Sequence, residues 1–385
     1  MTAQAWRQKI VNIWEQLIEQ SSSDKVLVTV VALIIIIGLI MLFSASSVVA
    51  YNTYSDSYFF LKQQILALVL GLVAFWLLSK FNYQYLRKFA LVALIISLGL
   101  LLLSLIPGLS QEVHGAKSWV KIFNQTFQPS EFVKLTFLIY LSAWFAGKQE
   151  KYRQVNAEHK STPFFILFAV IALLMLAQPD LGTLVIITIS SFTVYFLSGG
   201  RIKYIIIWAL IGLLALGTLL AIPRFVNQKN RFLCAMDTSY SPDKYCYQLS
   251  QSLIAVGSGG WLGRGLGASR QKFLYLPEVQ NDFIFAIIGE ELGFIFSTII
   301  VLLFFVLFYR GYLIAKHIND DFGRNLAMGI VTWLTIQVII NIGGIIGLIP
   351  MTGVPLPFIS YGGTAILSGL AALGILVNIS KQVKY

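Results

Sequence analysis

Ten long apolar runs constrain this chain more than any other feature of its sequence. A helix needs about 20 apolar residues to cross a bilayer, and in hydrocarbon every backbone polar group must be paired within the protein. Only 12% of the residues are charged, whereas a soluble domain carries about 25%. The sequence therefore predicts an all-α polytopic membrane protein with about ten transmembrane helices, near residues 26–44, 59–79, 89–106, 130–147, 163–178, 182–198, 204–222, 283–309, 325–349 and 356–379.

The positions of Lys and Arg predict how the chain is oriented in the membrane. Basic residues are in excess on the cytoplasmic side of membrane proteins, and most of the 28 in this chain fall on that side when both termini are cytoplasmic. Residues 1–25 are then a cytoplasmic amphipathic segment with no cleavable signal peptide. Residues 26–381 are expected to form a single transmembrane domain.

The large extracellular loop in this arrangement is 223–282, between the seventh and eighth predicted helices. It carries most of the basic residues on the outer side. Two explanations remain open: a long loop crosses the membrane whatever its charge, or the loop binds an anionic ligand such as a phosphate. The net charge of +11 is explained by topology and anionic lipid, and it does not indicate nucleic-acid binding.

Asp282 is the leading candidate for a catalytic residue. It lies where a glycine-rich, basic stretch runs directly into an apolar segment. A half-desolvated carboxylate of this kind can act as a general base. The alternative is a helix N-cap, a position that Asp favours. Glu290 and Glu291 lie about 12 Å further along the same helix, where buried carboxylates have either a functional or a packing role.

Two further polar features lie in or near the predicted spans. Glu131 and Lys134 are three residues apart within one span, so they can pair on one helix face and either hold the bundle together or line the site. Between the third and fourth spans, Lys117, Ser118 and Trp119 combine a cation, a hydroxyl and an amphipathic ring. Trp at an interface is most often a membrane anchor.

The two cysteines, Cys234 and Cys246, both lie in the large extracellular loop. In an oxidising compartment such a pair is either a disulfide or two free thiols, and closing a loop of this size contributes about 3 kcal/mol. Two cysteines and three histidines do not show metal-ligand spacing, and no nucleotide-binding motif is found. ATP-driven work is therefore not indicated.

Three prolines near the end of the chain predict an interrupted span. Pro350, Pro355 and Pro357 cannot all lie within one continuous helix. Irregular backbone at membrane depth is tolerated only where it is buried in protein or lines a cavity. We therefore expect a re-entrant or unwound segment that faces the functional site.

Several motifs together resemble the SEDS family (shape, elongation, division and sporulation), represented by FtsW and RodA. The most specific is NIGGIIGLIPMTGVPLPFISYGGTA at 341–365, followed by LPEVQNDFIFAIIGEELG at 276–293. GAKSW, QPSEFVK and QPDLGT also match, at 115–119, 128–134 and 178–183. The stretch 269–293 is more similar to the division members than to the elongation members. Many relatives have His-Thr before the conserved Asp, whereas this chain has Gln280 and Asn281.

The resemblance implies an inverting peptidoglycan glycosyltransferase that polymerises lipid II at the outer face of the bacterial cytoplasmic membrane, at the division septum. It implies a class B penicillin-binding protein as transpeptidase partner, together with other divisome or elongasome proteins and membrane lipids. The family's catalytic Asp corresponds to Asp282, its sensitive Trp to Trp119, and its motif acids and lysine to Glu131, Lys134 and Asp180. Ser360, in the last motif, joins the expected substrate-binding residues.

The reaction releases undecaprenyl diphosphate, which requires positive charge near the leaving group. The expected contributors, with a bound Mg²⁺ or Mn²⁺ in support, are Lys117, Arg231, Arg264, Arg270 and Lys272. Three alternatives are a flippase that moves lipid II across the membrane, the elongation polymerase of the same family, and a scaffold that only recruits the transpeptidase.

Overall fold

The computed structural model describes residues 23–106, 110–113, 116–122, 125–146, 153–241 and 244–383. Within these ranges, the side chains of 110–117, 121–126 and 153–160 are not described. Most of the predicted amphipathic segment at 1–25 therefore lies outside the described residues.

The described chain is predominantly helical, with one small antiparallel sheet. Its α-helices are α1 (Lys25–Tyr54), α2 (Phe59–Lys80), α3 (Gln84–Leu103), α4 (Pro129–Phe145), α5 (Arg153–Ala177), α6 (Leu181–Leu197), α7 (Ile202–Leu219), α8 (Val226–Met236), α9 (Tyr247–Ser258), α10 (Ile284–His317), α11 (Asp321–Ile345) and α12 (Gly363–Ser380). The strands are β1 (Ser110–Val113), β2 (Ala116–Ile122) and β3 (Gln125–Phe127), in the order β1-β2-β3.

Each of the ten apolar runs coincides with an α-helix. Among the described residues, seven helices are long and apolar enough to cross a membrane: α1, α2, α3, α7, α10, α11 and α12. Helices α4 and α6 have 17 residues each, and the apolar part of α5 is Ser161–Ala177. The chain is thus a multi-pass helical membrane protein, and the count of ten spans stays a prediction.

Helix α12 lies in the middle of the bundle and packs closely against α2. A Cβ atom added at Gly374 would lie 2.6 Å from the carbonyl oxygen of Phe75, so only glycine permits this approach. Helices α10 and α11 pack against each other, and α11 also packs against α6. By contrast, α7 has no buried residue and contacts the bundle through rings such as Trp208, which stacks on Phe165.

The first unpredicted feature is the sheet between α3 and α4, where the sequence indicated only a loop. Strand β2 pairs with β1 and with β3, both antiparallel, and Gln111 lies opposite Trp119. The sheet places Ser118 in a buried position and Trp119 in a half-buried one.

The second unpredicted feature is an interruption of α10 at Gly293, where φ is 76°. A Cβ atom at Gly293 would lie 2.2 Å from the backbone nitrogen of Gly263. The backbone of the glycine-rich turn fills the gap, because Arg264 N donates to Glu290 O at 3.0 Å and Phe294 N donates to Gly260 O at 2.9 Å. Glycine is required here for both the backbone conformation and the close approach.

The chain is non-helical between α11 and α12, as the three prolines predicted. In this broken segment, residues 346–362, the second half from 354 onward is largely buried, whereas 346–353 are exposed or half-buried. The hydroxyl of Ser360 accepts a hydrogen bond from Leu356 N at 2.8 Å. Gln64 of α2 donates to Ser360 O at 3.1 Å and accepts from Gly362 N at 3.2 Å. Side chains thus satisfy backbone groups that an intact helix would pair internally.

Candidate functional site

Asp282 ends the loop that leads into α10, and its side chain is half-buried. The N-cap position of α10 is Phe283. Asp282 therefore lies one residue before the N-cap, the position that was the alternative to a catalytic role. It lines a small cavity of about 20 Å³, together with Arg231, Gln248, Glu278, Phe283, Met351 and Gly353. The cavity therefore joins α8, α9, the end of the loop that precedes α10 and the broken segment.

Hydrogen bonds fix the Asp282 backbone against the broken segment. The side-chain amide of Asn341 donates to Asp282 O at 2.9 Å and to Val354 O at 2.8 Å. In parallel, Tyr361 N donates to Gln280 O at 2.8 Å. Asn341 is only 4% exposed, so both of its hydrogen bonds are shielded from water. The position of the carboxylate is thus set by α11 and by the segment that follows it.

Gly353 forms the wall of the cavity nearest to the charged groups. Its φ is 76°, a conformation that side chains other than glycine rarely adopt. A Cβ atom there would lie 3.4 Å from Asp282 Oδ2 and 3.7 Å from Arg231 Nη1. The glycine therefore leaves open the space that borders both the carboxylate and the guanidinium.

Arg231 is the basic residue that shares this cavity with Asp282. Its Nη1 donates to Met351 O at 3.5 Å. The pKa of Arg231 lies below its ordinary value because burial lowers it, while the charge of Asp282 acts in the opposite direction. Arginine stays protonated in proteins, so the site holds a partly desolvated cation beside a carboxylate.

A second, larger cavity adjoins the first. Its volume is about 250 Å³, and it shares Arg231, Gln248 and Met351 with the Asp282 cavity. Next to it the structure joins Cys234 and Cys246 in a disulfide, with the two Cα atoms 5.2 Å apart. The disulfide connects the end of α8 to the start of α9.

The basic residues of the glycine-rich stretch lie elsewhere. Lys272 is buried, and its Nζ donates to Glu291 Oε1 at 2.9 Å and to Gly267 O at 2.7 Å. It also borders an apolar groove of about 540 Å³ between α1 and α2. Among the described residues, neither Lys272 nor its neighbours Arg264 and Arg270 line the Asp282 cavity.

Glu290 and Glu291 lie against two of these cations and against the backbone of the third. Arg264 Nη1 lies 3.7 Å from Glu290 Oε1, and the backbone nitrogen of Arg270 donates to the same oxygen at 3.0 Å. Ser269 donates its hydroxyl hydrogen to Glu290 Oε2 at 2.6 Å. The two carboxylates therefore hold the glycine-rich loop against α10, as the packing interpretation predicted. A ligand role for the three cations stays a prediction.

Glu131 and Lys134 form a buried ion pair, with Nζ and Oε1 2.7 Å apart. Lys134 also donates to Gln337 Oε1 at 2.9 Å and lies 4.8 Å from the centre of the Trp333 ring. Ser368 donates to Glu131 Oε2 at 3.0 Å. These contacts join α4, α11 and α12, which agrees with the interpretation that the pair holds the bundle together.

Asp180 and the residues of the sheet lie at the same end of the bundle as the broken segment. Asp180 is the N-cap of α6 and accepts from Thr183 N at 3.1 Å and from Gln128 Nε2 at 3.4 Å. Gln128 N in turn donates to Thr364 at the start of α12, at 3.2 Å. The side chain of Lys117 lies outside the described residues.

Two of the residues near Asp282 were not predicted from the sequence. Glu278 and Gln248 line its cavity, although neither was predicted. Glu278 lies four residues before Asp282 and has a φ of 55°, and it accepts from Asn281 Nδ2 at 2.5 Å.

No group of three or more His, Cys, Asp or Glu able to hold a metal ion is found among the described residues.

The helical bundle, interrupted at Gly293 and at the broken segment, and the charged cavity beside that segment define the chain as a multi-pass membrane protein with a site at one end of its helices. A family model described as "Cell cycle protein" and covering FtsW, RodA and SpoVE matches residues 24–385. The chain belongs to this family, which is the SEDS family indicated by the motifs.

Two curated relatives cover nearly the whole chain. "Stage V sporulation protein E" of Bacillus subtilis is 40% identical over 368 residues, which is 95% of this chain and 99% of the relative. "Probable peptidoglycan glycosyltransferase FtsW" of Trichlorobacter lovleyi is 36% identical over 361 residues, or 94% of each chain.

Two solved structures share the fold. A chain from a peptidoglycan synthase complex, described as coordinating polymerization and crosslinking, has a TM-score of 0.71 at 26% identity over 93% of this chain and 98% of that chain. The crystal structure of the rod shape determining protein RodA of Thermus thermophilus has a TM-score of 0.68 at 26% identity, covering 94% and 99% of the two chains.

Proposed function

We propose that this protein is a peptidoglycan glycosyltransferase that polymerises lipid II into glycan strands. The observation that carries the proposal is the pairing of Asp282 with Arg231 in one cavity whose wall is the broken segment. A glycosyl transfer of this kind needs a base for the attacking hydroxyl and positive charge for the diphosphate that departs. Asp282 and Arg231 supply these two groups at adjacent positions.

Asp282 acts as the general base. It takes the proton from the 4-hydroxyl of the acceptor's N-acetylglucosamine, and the oxygen attacks the anomeric carbon at the reducing end of the growing chain. The new carbon–oxygen bond forms on the face opposite the leaving group, so the configuration is inverted. The bond to undecaprenyl diphosphate breaks, and its electron pair leaves with the diphosphate.

Arg231 neutralises the departing diphosphate. Its guanidinium borders the same space as the carboxylate, next to Gly353. A partly desolvated cation interacts more strongly with developing charge than one in water. Lys117, from β2, remains a candidate for the same role on the evidence of the sequence alone.

A divalent cation fits this site only with help from the substrate. Two carboxylates of described residues, Glu278 and Asp282, line the cavity. Mg²⁺ and Mn²⁺ prefer six oxygen ligands and bind readily through one or two carboxylates plus phosphate oxygens. Glu278 is the residue that would hold the ion when Asp282 carries a proton, and the ion would supply further positive charge to the diphosphate.

The proposed topology follows from the function. Ten spans, cytoplasmic termini and an extracellular loop at 223–282 place Asp282 at the outer face, where the saccharide of lipid II becomes accessible. The synthase-complex neighbour supports a class B penicillin-binding protein as partner. The FtsW relative at 36% identity supports a role in septal synthesis. Other divisome proteins and membrane lipids complete the proposed surroundings.

The function is tested with purified protein in liposomes, with its cognate class B penicillin-binding protein, lipid II and Mg²⁺. Glycan strands resolved on a gel would support the polymerase. The rival flippase is favoured by one observation, the buried Glu131–Lys134 pair, because ionisable residues within membrane spans often mark substrate or ion pathways. Translocation of labelled lipid II into sealed vesicles, without glycan formation, would replace the polymerase by the flippase.

A further inference from the structure

The larger cavity beside the Asp282 site is lined mainly by polar side chains. Its volume of about 250 Å³ lies below the roughly 300–1,000 Å³ of pockets for drug-sized ligands, so it suits a single ring. The lining includes Asn230, Arg231, Lys244, Tyr245, Gln248 and Met351.

Asn230 is the residue in this cavity that most clearly lacks a structural role. It is 5% exposed, and within the part of the chain that the structure describes no hydrogen bond to its side-chain amide is found. Its amide atoms are not among the fully enclosed polar atoms that lack a partner, so the amide faces the cavity. A ligand in the cavity can therefore hydrogen-bond to it directly.

The chemistry of the lining indicates which ligand this is. Asn230 and Gln248 each offer an amide donor and an amide acceptor, which is the combination that a 2-acetamido group requires. Lys244 and Tyr245, which lie together with Nζ 5.0 Å from the ring centre, close one side of the cavity. The lining also holds the cations Arg231 and Lys244, and it is the pair of amides that matches an acetamido group rather than a phosphate.

The position of the cavity relates it to the reaction. Arg231, Gln248 and Met351 line both this cavity and that of Asp282. When a sugar ring of the substrate is held in the larger cavity, the part of the substrate bonded to that ring would lie beside the Asp282 carboxylate and the Arg231 guanidinium. The arrangement positions a linked substrate without adding a second catalytic group.

The disulfide gives the cavity its fixed shape. Asn230 and Arg231 lie on α8, whereas Tyr245 and Gln248 lie on either side of the second cysteine. The bond between Cys234 and Cys246 holds these two sides together. A cross-link beside a ligand cavity lowers the cost of ordering its walls.

We infer that this cavity binds one 2-acetamido pyranose ring of the lipid-linked saccharide, through Asn230 and Gln248. The inference rests on the proposed function and names the part of the substrate that the outer loop recognises. Both sugars of lipid II carry an acetamido group, so the ring bound here is an N-acetylhexosamine of either kind.

The test compares lipid II with two analogues, each lacking the acetamido group on one of the two sugars. Asn230→Ala and Gln248→Ala are expected to raise the KM for lipid II about 10-fold, or about 1.4 kcal/mol, with kcat changed less than about 3-fold. With the analogue that lacks the recognised group, wild type and variants should have the same KM. The analogue that behaves in this way identifies the bound ring.

Lys229→Ala is the matched control, because Lys229 is an exposed residue on the same helix. Thermal melting of each variant shows whether it is folded, and if Asn230→Ala does not fold, Gln248→Ala decides. An unchanged KM for Gln248→Ala, or an equal rise with lipid II and both analogues, would overturn the inference while wild type still polymerises. A wild type that makes no glycan would remove the proposed function, and the inference with it.

Discussion

Replacing Asn341 by Ala should reduce catalysis far more than its effect on stability explains. The Asn341 amide nitrogen donates to Asp282 O at 2.9 Å and to Val354 O at 2.8 Å. It is therefore the side chain that ties the catalytic loop to the broken segment. Without it, the Asp282 backbone loses its side-chain anchor, and its position relative to Gly353 and Arg231 is less well fixed.

The magnitude follows from the two hydrogen bonds. Each buried carbonyl left without its donor costs about 1–3 kcal/mol, so the free energy of unfolding should fall by about 2–6 kcal/mol. A displacement of about 1 Å at a reacting group costs roughly 100-fold in rate. We therefore expect kcat of the folded variant to fall about 100-fold, with a smaller change in KM.

Asn378→Ala provides the control for stability. Asn378 is also buried and also makes two hydrogen bonds, donating to Ser79 O at 3.0 Å and accepting from Tyr83 N at 2.9 Å. It lies near the opposite end of α12 from the broken segment. The assay measures thermal unfolding and glycan synthesis per folded molecule for both variants. Equal kcat values for Asn341→Ala and Asn378→Ala would refute the positioning role.

Two further substitutions test other parts of the account. Gly353→Ala should lower kcat/KM at least 10-fold, because the methyl group would lie 3.4 Å from Asp282 Oδ2 and the positive φ costs about 1–2 kcal/mol. A kcat/KM equal to that of wild type in steady-state assays would contradict this. Lys134→Met should lower the free energy of unfolding by about 3–5 kcal/mol, since it leaves Glu131 buried without its cation. Thermal unfolding in detergent should show that adding Glu131→Gln recovers most of the loss, and no recovery would contradict the ion-pair explanation.

The apolar runs predicted the helices well because hydrophobic length is read directly from sequence. Each run lies on a helix, and the three prolines predicted the broken segment at 346–362. The interruption at Gly293 was missed because a single glycine within an apolar run has no local consequence that sequence reveals. It depends on Gly260 and Gly263, which are brought alongside by the tertiary fold.

The candidate site was predicted in part. Asp282 and Arg231 were both predicted, and they line one cavity. The cations at 264–272 were expected to serve an anionic ligand, yet the structure pairs Lys272 with Glu291. Sequence separation does not show which buried acid a cation meets. Asn341 belongs to a recognised motif, but its two hydrogen bonds follow only from the three-dimensional arrangement.

Helices α8 and α9, which form the polar cavity, were treated as parts of one long loop. They are short, with 11 and 12 residues, and too polar to stand out among membrane spans. Their packing depends on the disulfide, on Leu249 and on Tyr245. The residues that form the walls of the polar cavity could therefore be identified only from the structure, whereas the proposed catalytic acid was predicted from the sequence.

The most direct test of the account is glycan synthesis by Asp282→Asn beside wild type, in liposomes with the partner transpeptidase, lipid II and Mg²⁺. The amide keeps the size of the side chain and removes its basicity. The account predicts long glycan strands from wild type and none from the variant, with both proteins equally folded and equally able to bind labelled lipid II. Glycan strands of normal length and rate from Asp282→Asn would contradict the assignment of Asp282 as the general base.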